Sequence, residues 1–93
     1  MFVRSKVILT IEEVAKKYEC ILAPLTDDLV LLESGLDSLS LAVVVARLED
    51  ELMVDPFTAS EVVDLPLTLR DFVAGYEDAV NSIDTVPPRL KRG

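Results

Sequence analysis

Between Leu39 and Leu48 only Ser40 and Arg47 are polar. This stretch constrains the chain more than any other, because whatever it forms must be covered by the residues around it. Asp37 stands two residues before it and can accept from the free amides of a helix start. No segment alternates with period two for more than a few residues, so the stretch reads as a helix from Ser38 to about Leu52. Leu41, Val44, Val45, Leu48 and Leu52 share one face and suffice for a core contact. Leu39, Ala42, Val43 and Ala46 are left over, at spacings of three and four, and share a second face. A helix apolar on both faces is either enclosed by its own domain or kept for a partner. With 93 residues, enough for one small domain, the rest of the chain cannot easily cover both faces. The reading favoured is a docking helix, and a fully enclosed central helix is the alternative.

Three capping signals mark the other helices. Thr10-Ile-Glu-Glu13 forms a capping box, with Leu9 and Val14 placed for a hydrophobic staple. The stripe behind it is Ile11, Val14, Ala15, Tyr18, Ile21 and Leu22, with Cys20 beside it as a small buried apolar group. Thr58-Ala-Ser-Glu61, between Phe57 and Val62, starts a short helix that Pro66 stops near Leu65. Thr68-Leu-Arg-Asp71 starts a last helix that runs to about Ser82 along Leu69, Phe72, Val73, Tyr76, Val80 and Ile83. Residues 23–36 form a long loop with Pro24 and Gly35, and some of its leucines (25, 29, 31, 32 and 36) are expected to cap the core. The expected class is all-α, a four-helix bundle of three long helices and one short. Residues 1–7 read as an N-terminal extension, 8–84 as the folded domain, and 85–93 as a disordered tail.

Composition removes whole classes of function. Seventeen acids face nine bases, and fourteen of the acids lie between residues 26 and 84 with only Arg47 and Arg70 against them. Phosphate neutralisation is out of reach for such a chain, so nucleic acid is excluded as a partner, and basic protein surfaces are favoured. The absence of histidine removes the commonest general base and zinc ligand. A single cysteine can form no internal disulfide, and a metal site would need more ligands. No run of eighteen apolar residues is present to span a membrane, and no cleavable leader is visible, so the expected compartment is the cytoplasm. The paired acids, Asp27-Asp28 and Asp50-Glu51, read as solvated charge runs rather than catalytic pairs.

Gly35-Leu36-Asp37-Ser38-Leu39, at the start of the apolar helix, resembles the attachment motif of acyl and peptidyl carrier proteins. In that family a serine of Gly-x-Asp-Ser-Leu carries 4′-phosphopantetheine. The resemblance covers roughly residues 8–83, so the expected domain is a carrier domain. It implies that Ser38 is the attachment residue, that Gly35 leaves room for the modifying enzyme, that Asp37 caps the helix and helps place that enzyme's magnesium, and that Leu39 lies beside the arm and contacts partners. It further implies that the chain itself holds no metal site and performs no catalysis. The implied partners are a phosphopantetheinyl transferase with coenzyme A, an acyl- or aminoacyl-activating ligase, and a downstream transferase or synthase, all meeting a monomeric carrier. The physical chemistry agrees with this role, because a phosphodiester at the first helical position lies at the positive end of the helix dipole.

Fatty-acid carriers in this family look acidic at positions matching Ser40 and Val43. Here the front of the helix is apolar and the acids gather at Glu49, Asp50 and Glu51. The docking surface is therefore expected at Leu39, Ala42, Val43 and Ala46, with Glu49 and Asp50 steering encounter. This resembles free-standing aminoacyl, peptidyl or polyketide carriers of specialised biosynthesis. A fatty-acyl carrier is the alternative, and a cofactor-free helical interaction module is the alternative of another class.

Overall fold

A computed structural model describes residues 3–58, 61–62 and 67–85. Three α-helices make up the described fold: α1 (Val3–Lys17), α2 (Ser38–Leu52) and α3 (Leu69–Thr85). Among the described residues there is no strand beyond a one-residue antiparallel bridge, Val30 to Thr68. Among the described residues no helix is long and apolar enough to cross a membrane.

The first helix begins earlier than the capping box suggested. Val3, Val7, Ile11 and Val14 repeat at steps of four, four and three, and all four are buried. The core-facing stripe thus extends back through residues expected to be an extension, and α1 packs along both α2 and α3. Thr10 is interior to the helix, where its hydroxyl donates to the Lys6 carbonyl oxygen at 2.8 Å instead of capping. Leu9 is exposed, so it makes no staple.

The helix also ends sooner. Glu19 adopts φ 58°, its amide donates to the Lys16 carbonyl (3.3 Å), and the Cys20 amide donates to Ala15 (2.8 Å). This is a Schellman cap with glutamate in the left-handed place that glycine usually takes. Tyr18 and Ile21 fall outside the core stripe as a result. Cys20 lies past the helix end, only partly buried but packed against the core.

The long loop is tied down at both ends. Leu31 and Leu36 are buried, Leu22 and Leu25 pack partly against the core, and Leu32 stays exposed. The Leu31 amide donates to the Leu67 carbonyl (2.8 Å), the Leu69 amide to Leu29 (2.8 Å) and the Arg70 amide to Asp27 (2.9 Å). Loop carbonyls thereby satisfy the first free amides of α3. The Asp27 carboxylate meets Arg4 of α1, so one loop residue touches both helices.

Thr68 starts α3 as expected, its hydroxyl accepting from the Asp71 amide at 3.2 Å. The helix continues to Thr85, so the tail expected from residue 85 can begin no earlier than 86, and 86–93 lie outside the described residues. Leu69, Phe72, Val73 and Tyr76 are buried. Phe57 stacks on Phe72 at 5.6 Å, and Tyr76 meets both rings edge-on. Gly75 makes this possible, because a Cβ there would stand 2.5 Å from the Phe57 ring.

The expected short helix is described only at Glu61 and Val62; residues 59–60 and 63–66 of it lie outside the described residues. Its capping box is present: the Glu61 amide donates to the Thr58 hydroxyl (3.1 Å) and the Thr58 amide to the Glu61 carboxylate (2.9 Å).

Candidate functional site

The loop before α2 and the first turn of that helix form a rigid presentation of Ser38. Ser34 is fully buried, and its hydroxyl donates to the Leu31 carbonyl (2.6 Å) while accepting from the Leu36 amide (3.3 Å). The Ala23 amide donates to the Ser34 carbonyl at 2.8 Å, pinning the loop to the segment that leaves α1. Gly35 then turns with φ +107°, and an added Cβ would stand 2.0 Å from the Ile21 carbonyl oxygen. Only glycine fits, both for its backbone angle and for the close approach.

Asp37 is the N-cap of α2, with extended backbone and a carboxylate that accepts from the Ser40 amide at 2.8 Å. The Ser40 hydrogen bonds hold its carboxyl below the usual carboxylate range. Ser40 itself is buried, with its hydroxyl 3.7 Å from the Cys20 sulfur. The first turn of α2 therefore rests on the exit of α1, and its inward side is closed. Ser38 is the first helical residue and is exposed, at a helix N-terminus whose first amides lack intrahelical partners.

This geometry fits a phosphate ester. A hydroxyl that is exposed at the positive end of a helix, between a glycine turn and a buried serine, can receive a phosphodiester without displacing any core contact. Among the described residues no group of three or more Cys, Asp or Glu side chains is placed to hold a metal.

Along α2 the two faces separate as the spacing indicated. Leu41, Val44, Val45 and Leu48 are buried, each of them contributing roughly 1.5–3 kcal/mol by leaving water. On the other face Leu39 is 64% exposed, Ala46 is exposed, and Ala42 and Val43 are half-buried, Val43 packing partly against the core. The full enclosure of this helix is thus excluded. Glu49 and Asp50 are exposed at its end, while Glu51 is paired with Lys6 of α1 at 2.7 Å. Arg47 leans the same way, 3.5 Å from Glu13.

Beyond Asp50 the surface continues into residues the sequence reading had left out. Met53 ends α2 in the left-handed conformation, φ 61°, and is 77% exposed. With Ala46, Glu49, Asp50, Val54 and Asp55 it lines an open groove of about 480 Å³. Met53 follows Ala46, Glu49 and Asp50 at helical spacings of seven, four and three, a signal that was present in the sequence. Ile21, expected in the core stripe, is instead 90% exposed, with its backbone carbonyl against Gly35. Its apolar character had placed it in the core stripe, and only the early end of α1 shows otherwise.

The sequence matches the model of a protein family described as "Phosphopantetheine attachment site" over residues 9–74. No curated protein matches the chain, and no solved structure does.

Proposed function

The chain belongs to the phosphopantetheine attachment-site family, whose domain carries covalently attached 4′-phosphopantetheine, and on that premise we propose that Ser38 is the attachment residue. The observation that carries this reading is the exposed Ser38 hydroxyl at the first position of α2, framed by the Gly35 turn and the Asp37 cap. The Ser38 oxygen forms a bond to the pantetheine-bearing phosphorus of coenzyme A, and the bond from that phosphorus to the bridging pyrophosphate oxygen breaks. Adenosine 3′,5′-bisphosphate leaves, and the hydroxyl proton passes to a base on the transferase. Asp37 helps place the transferase's magnesium from its position one residue ahead. Once attached, the arm supplies a thiol that holds an acyl group as a thioester. The chain has no histidine and acts as a substrate of its partners rather than as an enzyme.

The cargo we propose is an amino acid or small acyl group of specialised biosynthesis, loaded by an activating ligase and passed to a downstream transferase or synthase in the cytoplasm. The support is the apolar front of α2, Leu39, Ala42, Val43 and Ala46, with the unpaired acids held back to Glu49 and Asp50. Val43 carries the contrast with acidic fatty-acid carriers, since Ser40 is turned inward and no acid could be presented there. Docking then depends on burying apolar area, and the acids set the approach. The test offers the modified protein to a malonyl-loading enzyme of fatty-acid synthesis and to aminoacyl-activating ligases. Loading by a ligase supports the proposal, and efficient malonyl loading overturns it in favour of a fatty-acyl carrier.

A further inference from the structure

The groove at the end of α2 carries more negative charge than the described fold balances. Glu49, Asp50 and Asp55 line it, with Met53 and Val54 as an apolar wall, around about 480 Å³. All three acids are exposed, and among the described residues none of them forms an ion pair. Met53 is 77% exposed beside them. The bases of the described fold are engaged or distant. Arg4 pairs with Asp27, Lys6 with Glu51 and Arg47 with Glu13. Lys16 and Lys17 end α1, close to where Cys20 lies 3.7 Å from Ser40 in the first turn of α2, so they stand at the opposite end of that helix from the groove. Arg70 opens α3, its amide held by the Asp27 carbonyl. A concavity with three acids and an apolar wall suits a short segment that sets bases around an apolar side chain.

Such a segment follows the last described helix. Residues 86–93 contain Arg89-Leu90-Lys91-Arg92 and no acidic side chain. Tyr76 of α3 lies beside the groove, since Glu49 and Asp55 both act on its buried phenol. Thr85 ends α3 nine residues later, about 14 Å along the axis. From there an extended chain to Arg92 reaches about 23 Å, enough to return to the groove.

We propose that this C-terminal segment docks in the groove of its own chain, with Arg89, Lys91 and Arg92 against Glu49, Asp50 and Asp55 and with Leu90 covering Met53. Three positive charges meet three negative ones, and apolar area leaves water between them. The tether keeps the segment at an effective concentration on the order of millimolar, so a weak contact suffices. Glu49 and Asp50 are also the acids proposed to steer partners, so the docked segment covers part of that surface and a partner displaces it. This consequence rests on the proposed function, whereas the contact itself does not.

The experiment compares amide NMR spectra of the full chain at low salt, wild type against a variant carrying Arg89→Glu, Lys91→Glu and Arg92→Glu. The signals of Ala46, Glu49, Asp50, Met53 and Asp55 are expected to move, and those of Lys16 and Lys17 to stay. Added salt should carry the wild-type groove signals toward the variant's positions, because exposed charges are screened. Leu90→Ser should move the Met53 signal part of the way. Groove signals that coincide in wild type and variant overturn the inference, as do shifts gathered on another surface. Shifts that vanish on dilution would assign the groove to the segment of a second copy and overturn the contact within one chain. These spectra are recorded on unmodified protein, so their outcome is independent of whether Ser38 receives an arm. On modified protein, charge reversal of the segment should raise the low-salt rate of loading by an aminoacyl-activating ligase about threefold, as release of a segment docked about two thirds of the time would. An unchanged rate with shifted groove signals overturns the covering of the partner surface and supports the contact.

Discussion

Gly35 and Ile21 approach so closely that a methyl group on Gly35 would stand 2.0 Å from the Ile21 carbonyl oxygen. The contact joins the exit of α1 to the loop that presents Ser38, and backbone atoms on both sides leave neither free to move alone. Gly35→Ala adds a clash to a backbone angle, φ +107°, that side chains rarely adopt. The expected loss is about 2 kcal/mol or more, read as a lowered urea midpoint with unchanged slope. An unchanged midpoint would show that the loop shifts aside at little cost.

Asp37 makes the stability of the site depend on acid. Its carboxyl is held below the usual range by the Ser40 hydrogen bonds, so the folded state binds its proton less readily than the unfolded state does. The stability it contributes is present above the unfolded value, near pH 3.9, and is lost as pH falls through the lower folded value. Asp37→Asn keeps a side-chain oxygen at the cap but no titrating charge. Melting temperatures between pH 7 and pH 3 should show the wild type more stable at neutral pH and the gap closing in acid. A constant gap would mean that the carboxylate charge is not what caps the helix.

Tyr76 is buried with its hydroxyl lacking a hydrogen-bond partner among the described residues. Burial pushes its phenol well above the ordinary range, with Glu49 and Asp55 adding to the effect. Tyr76→Phe removes an unsatisfied polar atom and keeps the ring contacts with Phe57 and Phe72, so it should raise stability by about 1 kcal/mol. The raised folded value also means that wild-type stability is intact below about pH 10 and declines as pH rises beyond it, because the unfolded phenol ionises first. The variant should lose less between pH 9 and pH 11 in a denaturation series. A destabilised variant would reveal a bond to this hydroxyl.

Glu49 and Asp50 are exposed at the end of α2 while Glu51 is paired with Lys6, and the first two are the acids proposed to steer encounter. Reversing both, Glu49→Lys with Asp50→Lys, should slow association with a loading ligase about tenfold at low salt. The difference should shrink in high salt as exposed charges are screened. An equal deficit at every ionic strength would mean that these residues make fixed contacts instead.

What the sequence displayed and what it hid follow one physical division. Signals that act within a single turn were readable: the Asp37 cap, the Thr58 box, the Thr68 cap, the glycine requirement at 35, and the two faces of α2. Where two local signals competed, the sequence misled. Thr10-Ile-Glu-Glu13 satisfies every rule of a capping box, but the buried Val3 and Val7 reward extending the helix through it, and tertiary packing outweighs a cap. The early stop after Lys17 had no glycine to announce it, since Glu19 takes the left-handed position. That one substitution for the usual residue concealed the exposure of Ile21. The bridge from Leu29 and Leu31 to Leu67 and Leu69 pairs segments nearly forty residues apart, and no local pattern could have displayed it.

The central claim is that the Ser38 hydroxyl receives the phosphopantetheine arm. Intact mass spectrometry after incubation with coenzyme A and each of several transferases tests it most directly. The wild type should gain one phosphopantetheine and Ser38→Ala none, with the variant otherwise folded by circular dichroism. A wild type that gains no mass with any transferase, or a Ser38→Ala variant that gains it all the same, would contradict it.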